Sequence, residues 1–165
     1  MAKAAVEFAE FYETNWEPCV RAVLSSIGDQ RVAEDLVAEA FSSAWASWRK
    51  VSRHPAPRAW VVRTALNTGV SRWRRGNREV PLGDNDATAP ADRSEAIDAM
   101  LLDALKRLPV RQREVIALRI FLDLDTEATA KHLGIAPGTV TAHLSRAVTA
   151  LRHELVSSGA SEVRP

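Results

Sequence analysis

The sequence predicts an all-α protein made of two small helical domains joined by a flexible acidic linker. Its well-patterned segments repeat apolar residues every three or four positions, and no stretch alternates convincingly with period two. All five tryptophans lie before residue 74, and the only aromatic residue after it is Phe121. Two cores of different composition are therefore expected within the 165 residues, a length that allows one ordinary domain or two small ones.

The first domain is predicted to contain three helices, over about residues 5–27, 30–48 and 58–75. Pro18 falls inside the first of them and is expected to kink or split it. Gly28 and Asp29 are expected to end the first helix and cap the second. Residues 49–57 contain two prolines and are predicted to form a loop.

A linker is predicted between the two halves. Residues 77–93 hold two prolines, a glycine and a net negative charge, with little apolar content. The predicted organisation is a first domain over 1–77, a linker over 78–93, a second domain over 94–157 and a tail over 158–165.

The second domain is predicted to open with a helix that Asp92 and Glu95 cap and that ends before Pro109. A further helix is expected over about residues 110–122. Next come a short helix capped by Asp125, a tight turn and a last helix that begins near residue 137.

The segment from Asp125 to about Arg152 has the pattern of a helix-turn-helix. Ala130 is small where two helices must cross, Gly134 suits a left-handed turn, and Val140 returns the second helix to the first. In this motif the second helix lies in the DNA major groove and reads base edges. Its early residues are Thr139, Thr141, Ala142, His143, Ser145 and Arg146. An ordinary helical hairpin is the alternative that this spacing leaves open.

Charge is strongly segregated, although the formal net charge is only +1. Residues 49–78 carry nine basic residues and no acid, whereas residues 1–48 and 79–98 each have a net charge of −5. Apolar residues interleave with the arginines, which indicates a folded surface for an anionic partner rather than a disordered tail. On a helix, Arg63, Asn67 and Arg74 share roughly one face, which suits phosphate and base contacts. The arginines that flank this face are Arg58, Arg72 and Arg75.

Several function classes are disfavoured. No apolar run is long enough to span a membrane, and charge interrupts the first residues too early for a secretory signal. A single cysteine, Cys19, allows no internal disulfide and fits a reducing cytoplasm. The four histidines lack zinc-ligand spacing, and neither a phosphate-binding glycine loop nor a Ser/His/Asp set appears. We therefore expect no catalytic residues, metal or cofactor.

Four segments in order carry more specific motifs: Asp35–Trp45, Trp60–Arg75, Leu108–Arg119 and Gly138–Ala147. They resemble the patterns D-L-V-Q-E-x-F-x-x-A-W, W-L-x-x-I-A-x-N-x-x-x-D-x-x-R-R, L-P-x-x-x-R-x-V-x-x-L-R and G-T-V-K-S-R-L-x-R-A. These are motifs of the extracytoplasmic-function sigma factors, the smallest class of bacterial RNA polymerase specificity subunit. The resemblance spans about residues 5–155.

The resemblance implies a subunit that binds core polymerase and directs promoter recognition, melting and transcription initiation. It places the polymerase contact at Asp35, Leu36, Glu39, Phe41 and Trp45. It assigns the melted −10 element to Arg53, Arg58, Trp60, Arg63, Asn67, Ser71, Arg74 and Arg75, with a flipped base held by the 49–57 loop. It assigns the −35 duplex to Arg113 and to the six helix-turn-helix residues named above.

Some positions depart from the family pattern. Thr141 and His143 stand where basic residues are usual, which predicts a weaker and less salt-sensitive phosphate contact. Thr129 replaces a packed isoleucine, and Ala136 lacks a capping hydroxyl. These departures bear on the promoter sequence rather than on the class.

Two rival functions remain open at this point. A stand-alone helix-turn-helix regulator would explain residues 99–155 but not the basic segment. A sigma-like protein that mainly binds a partner, such as an anti-sigma factor, is the other rival. An enzyme is the least favoured class.

Overall fold

The computed structural model describes the backbone of residues 1–76 and 93–157 and the side chains of residues 1–72 and 99–157. In these ranges every regular element is helical, which confirms the predicted all-α class. The chain divides into two compact units, residues 1–80 and 81–165. Residues 78–92 of the predicted linker and the predicted tail lie outside the described residues.

Over the described residues 1–76, the first unit contains four helices: α1 (Ala2–Ile27), α2 (Gln30–Ala46), α3 (Trp48–Val51) and α4 (Pro57–Gly76). The junction between α1 and α2 forms as predicted. Gly28 adopts a left-handed conformation with φ 79°, and the Asp29 carboxylate accepts a hydrogen bond from the Val32 amide at 3.1 Å.

Two predictions for the first unit are corrected in part. The expected split at Pro18 is absent, since α1 continues through it. The residues that follow the proline, such as Val20 and Val23, are buried, and this packing outweighs the local cost of a proline in a helix. The expected loop over 49–57 is shorter, because α3 occupies its beginning.

Helices α1, α2 and α4 pack against one another to form the core of the first unit. Helices α2 and α4 come close together at Gly69. A Cβ atom on this residue would lie 3.0 Å from Leu36 Cδ1 and 3.3 Å from Ile27 Cδ1. The absence of a side chain therefore allows these two helices to meet at this point.

A cluster of aromatic rings joins the first half of α1 to the end of α2 and to α3. Neighbouring ring centroids lie 5.0–6.4 Å apart in tilted or edge-on arrangements. The aromatic cluster consists of Phe8, Phe11, Tyr12, Trp16, Phe41, Trp45 and Trp48.

The second unit contains α5 (Arg93–Lys106), α6 (Val110–Ile116), a π-helical segment (Ala117–Phe121), α7 (Thr126–Leu133) and α8 (Pro137–Ser157). The predicted helix over 110–122 has the right position, but its second half is wound more widely. There the Leu122 amide bonds to the Ala117 carbonyl, five residues back, at 3.1 Å. The predicted Asp92–Glu95 capping pair lies outside the described side chains.

The core of the second unit forms where α5 and α6 pack against α8. Leu105, Leu108, Ile116 and Ala147 are its buried centre. Arg107, the residue after α5, links α5 to α8 at the edge of this packing, since it pairs with Asp103 of α5 at 3.1 Å and with Glu154 of α8 at 2.8 Å.

No helix in the described ranges combines the length and the apolar character that crossing a membrane requires.

Candidate nucleic-acid interface

Helix α4 presents a polar stripe on the side away from the core. Arg63, Asn67 and Ser71 are exposed, and Trp60 on the same stripe is half-buried. The opposite side of the helix is buried and includes Val61, Val62, Ala65 and Leu66. The predicted stripe is thus brought together on one face, whereas the side chains of Arg74 and Arg75 lie outside the described residues.

Two more of the predicted cations lie near the start of α4, Arg53 in the turn before the helix and Arg58 in its first turn. Arg53 and Arg58 are both exposed. The turn between them is fixed locally, because Nδ1 of His54 accepts a hydrogen bond from the Ala56 amide at 3.0 Å. This arrangement keeps the two guanidinium groups at the surface beside the stripe.

Cys19 lies beneath the start of α4, with its Sγ 3.9 Å from the Arg58 carbonyl oxygen. The side chain is fully buried. Burial raises the pKa of the Cys19 thiol to about 12, and the charge of Arg58 opposes this only in part. The thiol is therefore neutral and inert at physiological pH.

An open cleft of about 590 Å³ lies beside the turn that precedes α4. The indole Nε1 of Trp48, one of its lining residues, is buried and has no hydrogen-bond partner among the described residues. The lining residues are Glu7, Glu10, Phe11, Thr14, Asn15, Trp48, Ser52 and Pro57. The cleft is large enough for a nucleobase.

Sequence reasoning placed a base pocket in the 49–57 loop alone and missed the part of the cleft that α1 contributes. The available signal was the aromatic spacing of Phe8 and Phe11. Their rings contact Trp48 edge-on and tilted, respectively, with centroid distances of 5.2 Å each.

The predicted polymerase contact on α2 divides into exposed and buried residues. Asp35 and Glu39 are exposed, and Trp45 keeps 43% of its surface accessible. Leu36 and Phe41, in contrast, are only 1% and 2% exposed. Leu36 packs against Gly69 and Phe41 lies in the aromatic cluster, so neither offers a surface to a partner, and we revise their predicted role to support of the helix.

Glu39 makes an ion pair with Arg72 of α4, which belongs to none of the predicted site sets. Both side chains remain about half exposed, at 47% for Glu39 and 57% for Arg72. The pair therefore connects the candidate polymerase surface to the edge of the α4 stripe.

The helix-turn-helix forms as predicted. Ala130 of α7 and Val140 of α8 are buried together with Val115 of α6. The turn at Gly134 has φ 66°, and the Asp125 carboxylate caps α7 by accepting from the Ala128 amide at 2.7 Å.

Thr129, which stands where the family pattern has a packed isoleucine, does not leave its hydroxyl unpaired. It is fully buried, and its Oγ1 donates to the Asp125 carbonyl at 2.8 Å.

The predicted reading residues lie along the first turns of α8. Thr139, Thr141, Ser145 and Arg146 are exposed, whereas Ala142 and His143 are half-buried. Nδ1 of His143 is buried without a hydrogen-bond partner among the described residues. A base contact by this ring would therefore use Nε2.

Arg113 of α6 is half-buried, unlike the exposed arginines of α4. Desolvation lowers its pKa, and the neighbouring Glu114 carboxylate acts in the opposite direction. A guanidinium stays charged under these conditions, so Arg113 supplies a positive charge close to the helix-turn-helix core.

In the described ranges, no three His, Cys, Asp or Glu side chains converge in a way that would hold a metal ion. The candidate surfaces on α4 and α8 consist of cations, amides, hydroxyls and aromatic rings, which suit contacts with nucleic acid.

Comparison with known proteins agrees with this geometry. Residues 11–79 match the family model of Sigma-70 region 2, and residues 98–151 match that of Sigma-70, region 4. The RNA polymerase sigma-E factor of Streptomyces coelicolor is 34% identical over 155 residues, which cover 92% of this chain and 88% of the relative. The ECF RNA polymerase sigma factor SigL of Mycobacterium tuberculosis is 33% identical over 147 residues, with 84% and 83% covered.

A solved structure shows the same architecture. It is the sigma factor RpoE in complex with the anti-sigma factor NepR from Bartonella quintana, with a TM-score of 0.77 and 27% identity. The match covers 90% of this chain and 96% of that one.

Proposed function

The chain belongs to the extracytoplasmic-function sigma factors of bacterial RNA polymerase, and we propose how its surfaces divide the work of initiation. The first unit binds core polymerase and the melted −10 strand, while the second holds the −35 duplex. We propose domain boundaries of 1–77 and 94–157 for these roles; the matched regions, 11–79 and 98–151, support them.

The polymerase contact lies on the exposed side of α2. Asp35, Glu39 and Trp45 are its members, because they combine exposure with two carboxylates and a large ring. A half-exposed tryptophan beside charges has the composition of an interface anchor. Leu36 and Phe41 hold the helix in place from beneath.

The −10 strand lies along the α4 stripe. The observation that carries this proposal is the exposure of Arg63, Asn67 and Ser71 on one face of a segment that contains no acidic residue. Guanidinium groups bind phosphates, and an asparagine amide can donate to and accept from a base edge. Trp60 adds a ring on which an unpaired base can stack.

A base flipped out of the strand enters the cleft next to the turn before α4. The aromatic rings of Phe11 and Trp48 offer stacking surfaces there, and the unpartnered indole N–H offers a donor for a base acceptor. A preformed pocket offsets part of the few kcal/mol that unstacking a base costs.

The −35 duplex lies against α8. Thr139, Thr141, Ser145 and Arg146 face outward in its first turns, and the core contacts of Val140 fix the helix behind them. Arg146 supplies the charge, and the hydroxyls and His143 supply base contacts.

The remaining properties follow from this role. The chain works in the cytoplasm, where polymerase and DNA are located, and it needs no cofactor and catalyses no reaction itself. An anti-sigma factor is a further partner, since the similar solved structure from Bartonella quintana pairs a sigma factor with one.

The rival function, a stand-alone helix-turn-helix regulator, explains only the second unit. It does not explain why residues 11–79 match the family model of Sigma-70 region 2. The two functions differ in what they do to polymerase: a sigma factor confers initiation on core enzyme, and a regulator does not.

In vitro transcription tests the proposal. The purified chain is added to bacterial core polymerase with genomic DNA of the encoding organism, and RNA 5′ ends are mapped. We expect start sites that are absent with core enzyme alone and share −35 and −10 elements. If the mapped ends match those of core enzyme alone, the proposal is wrong.

A further inference from the structure

Arg72 lies on α4 next to the exposed stripe, yet its charge is directed toward α2. Successive residues of a helix point about 100° apart, so Arg72 flanks Ser71 on the side that faces the neighbouring helix. There it pairs with Glu39. This cation of the basic segment is thus neutralised within the protein rather than offered to a ligand.

The register between the two helices is fixed one turn away from this pair. Leu36 packs against Gly69, and Glu39 and Arg72 each follow three residues later in their own helix. Helices α2 and α4 run in opposite directions, since Pro57 at the start of α4 and Trp48 just beyond the end of α2 line the same cleft. Glu39 and Arg72 therefore lie on opposite sides of the Leu36–Gly69 contact, and their long side chains reach toward each other to form the ion pair. Rotation of these two side chains opens the pair without moving the helices.

Both members of the ion pair are accessible to solvent. Glu39 is 47% exposed and Arg72 is 57% exposed, so a charged partner can approach either residue. Exposed pairs of this kind are weak, and a competing charge of the right sign can replace one member. Glu39 is also one of the three residues that the proposed polymerase contact uses.

We propose that Arg72 is a phosphate-binding residue that Glu39 masks in the free protein and that polymerase unmasks. When a cation of core polymerase pairs with Glu39, Arg72 is released to bind a phosphate of the −10 strand. This inference rests on the proposed function, because it requires that polymerase contacts α2 and that the strand follows α4.

The test compares full-length variants for binding to a fluorescein-labelled single-stranded oligodeoxynucleotide of mixed sequence over a series of KCl concentrations. Glu39→Gln should bind up to about fivefold more tightly than the wild type, the range expected for an exposed pair. Its salt dependence should steepen by about 0.7 in log–log slope, the value for one added phosphate contact on a single strand.

Two further variants isolate Arg72. Glu39→Gln combined with Arg72→Gln should lose the gain, and Glu39→Gln combined with Arg72→Lys should keep most of it, because a cation is retained. Circular dichroism of each variant checks that the helices are intact.

The matched control is Glu17→Gln. Glu17 pairs with Arg21 on α1 at 4.0 Å, both side chains are exposed, and the substitution changes the net charge by the same amount. It should leave the slope unchanged. If Glu39→Gln equals the wild type or Glu17→Gln, or if its gain survives Arg72→Gln, the assignment of Arg72 is wrong.

The last measurement repeats the binding experiment with core polymerase present. In complex with core enzyme, the difference in oligonucleotide affinity between the wild type and Glu39→Gln should disappear, because Glu39 is already occupied. A difference that persists at full size would overturn the release step. Failure of the wild-type chain to bind core enzyme would instead contradict the proposed function, and the measurements on free protein would still decide the masking.

Discussion

Gly69 of α4 lies directly against Leu36 of α2, so close that an added Cβ would stand 3.0 Å from Leu36 Cδ1. This contact sets how α4 sits on α2, and therefore where the stripe of α4 lies relative to the exposed residues of α2. Position 69 therefore requires glycine because the fully buried Leu36 leaves no room for a side chain, and not because of its backbone conformation.

We expect Gly69→Val to destabilise the first unit by about 1–3 kcal/mol, the usual cost of adding volume to a packed core. Urea denaturation measures the free energy of unfolding. The control is Gly138→Val on α8, where an added Cβ meets nothing within 4 Å. Equal effects at the two positions would contradict the close approach.

Arg63→Ala and Asn67→Ala should impair promoter melting while core binding stays intact, because both side chains lie on the exposed stripe and away from α2. Losing a contact of a charged or amide group to DNA should cost about 1–3 kcal/mol. Permanganate reactivity of promoter thymines measures melting, and gel filtration with core enzyme measures binding.

Arg21→Ala is the control for these two variants, since Arg21 is an exposed arginine of α1. It should melt the promoter as the wild type does. A parallel loss of core binding in Arg63→Ala or Asn67→Ala would show that α4 has been assigned to the wrong partner.

Arg146→Ala should weaken binding to the −35 duplex for all sequences and reduce the log–log salt slope by about 0.9, because one phosphate contact is lost. His143→Ala should instead change the base preference, by about 1–3 kcal/mol at one position, if its Nε2 reads a base edge. Binding to a duplex library at several salt concentrations separates the two effects. A uniform affinity loss for His143→Ala, with no change in preference, would contradict a reading role.

The buried thiol of Cys19 should make the first unit less stable in alkali. Its pKa is about 12 in the folded chain against an ordinary value of 9.0, so above pH 9.0 the unfolded chain loses its thiol proton and the folded one keeps it. The free energy of unfolding should then fall by up to about 1.4 kcal/mol for each pH unit above 9.0 until the folded thiol itself ionises. Below pH 9.0 this contribution is constant.

Cys19→Ala provides the comparison, because it removes the titrating group at the same buried position. Urea denaturation on both sides of pH 9.0 should show a steeper alkaline loss for the wild type than for the variant. If the two chains lose stability in parallel, the thiol does not carry the effect.

The helix-turn-helix could be predicted from sequence in full, because its signals are local. The Asp125 cap, the Gly134 turn and the Ala130–Val140 crossing all lie within sixteen residues and appear as expected. Helix α3 could not be predicted, since four residues are too few to show a helical period. The π-helical segment was likewise hidden, because its wider winding changes the hydrogen-bond partner and not the residue types.

The site on α2 was predicted only in part, for a different reason. The motif resemblance grouped Leu36 and Phe41 with their exposed neighbours, although the apolar period of the same segment already placed both on one stripe. The structure buries both, whereas Trp45, which follows the same apolar period, remains 43% exposed near the end of the helix. The ion pair between Arg72 and Glu39 escaped prediction because the two residues lie 33 positions apart in the chain.

The confinement of the aromatic cluster to the first unit gives the chain two optical signatures. All five tryptophans precede residue 74, and the second unit has Phe121 as its only aromatic residue. Tryptophan fluorescence therefore reports the first unit alone, because the second unit has no tryptophan and does not contribute to this emission. Followed side by side with helical dichroism, the emission distinguishes the melting of one unit from that of the other in a single unlabelled sample.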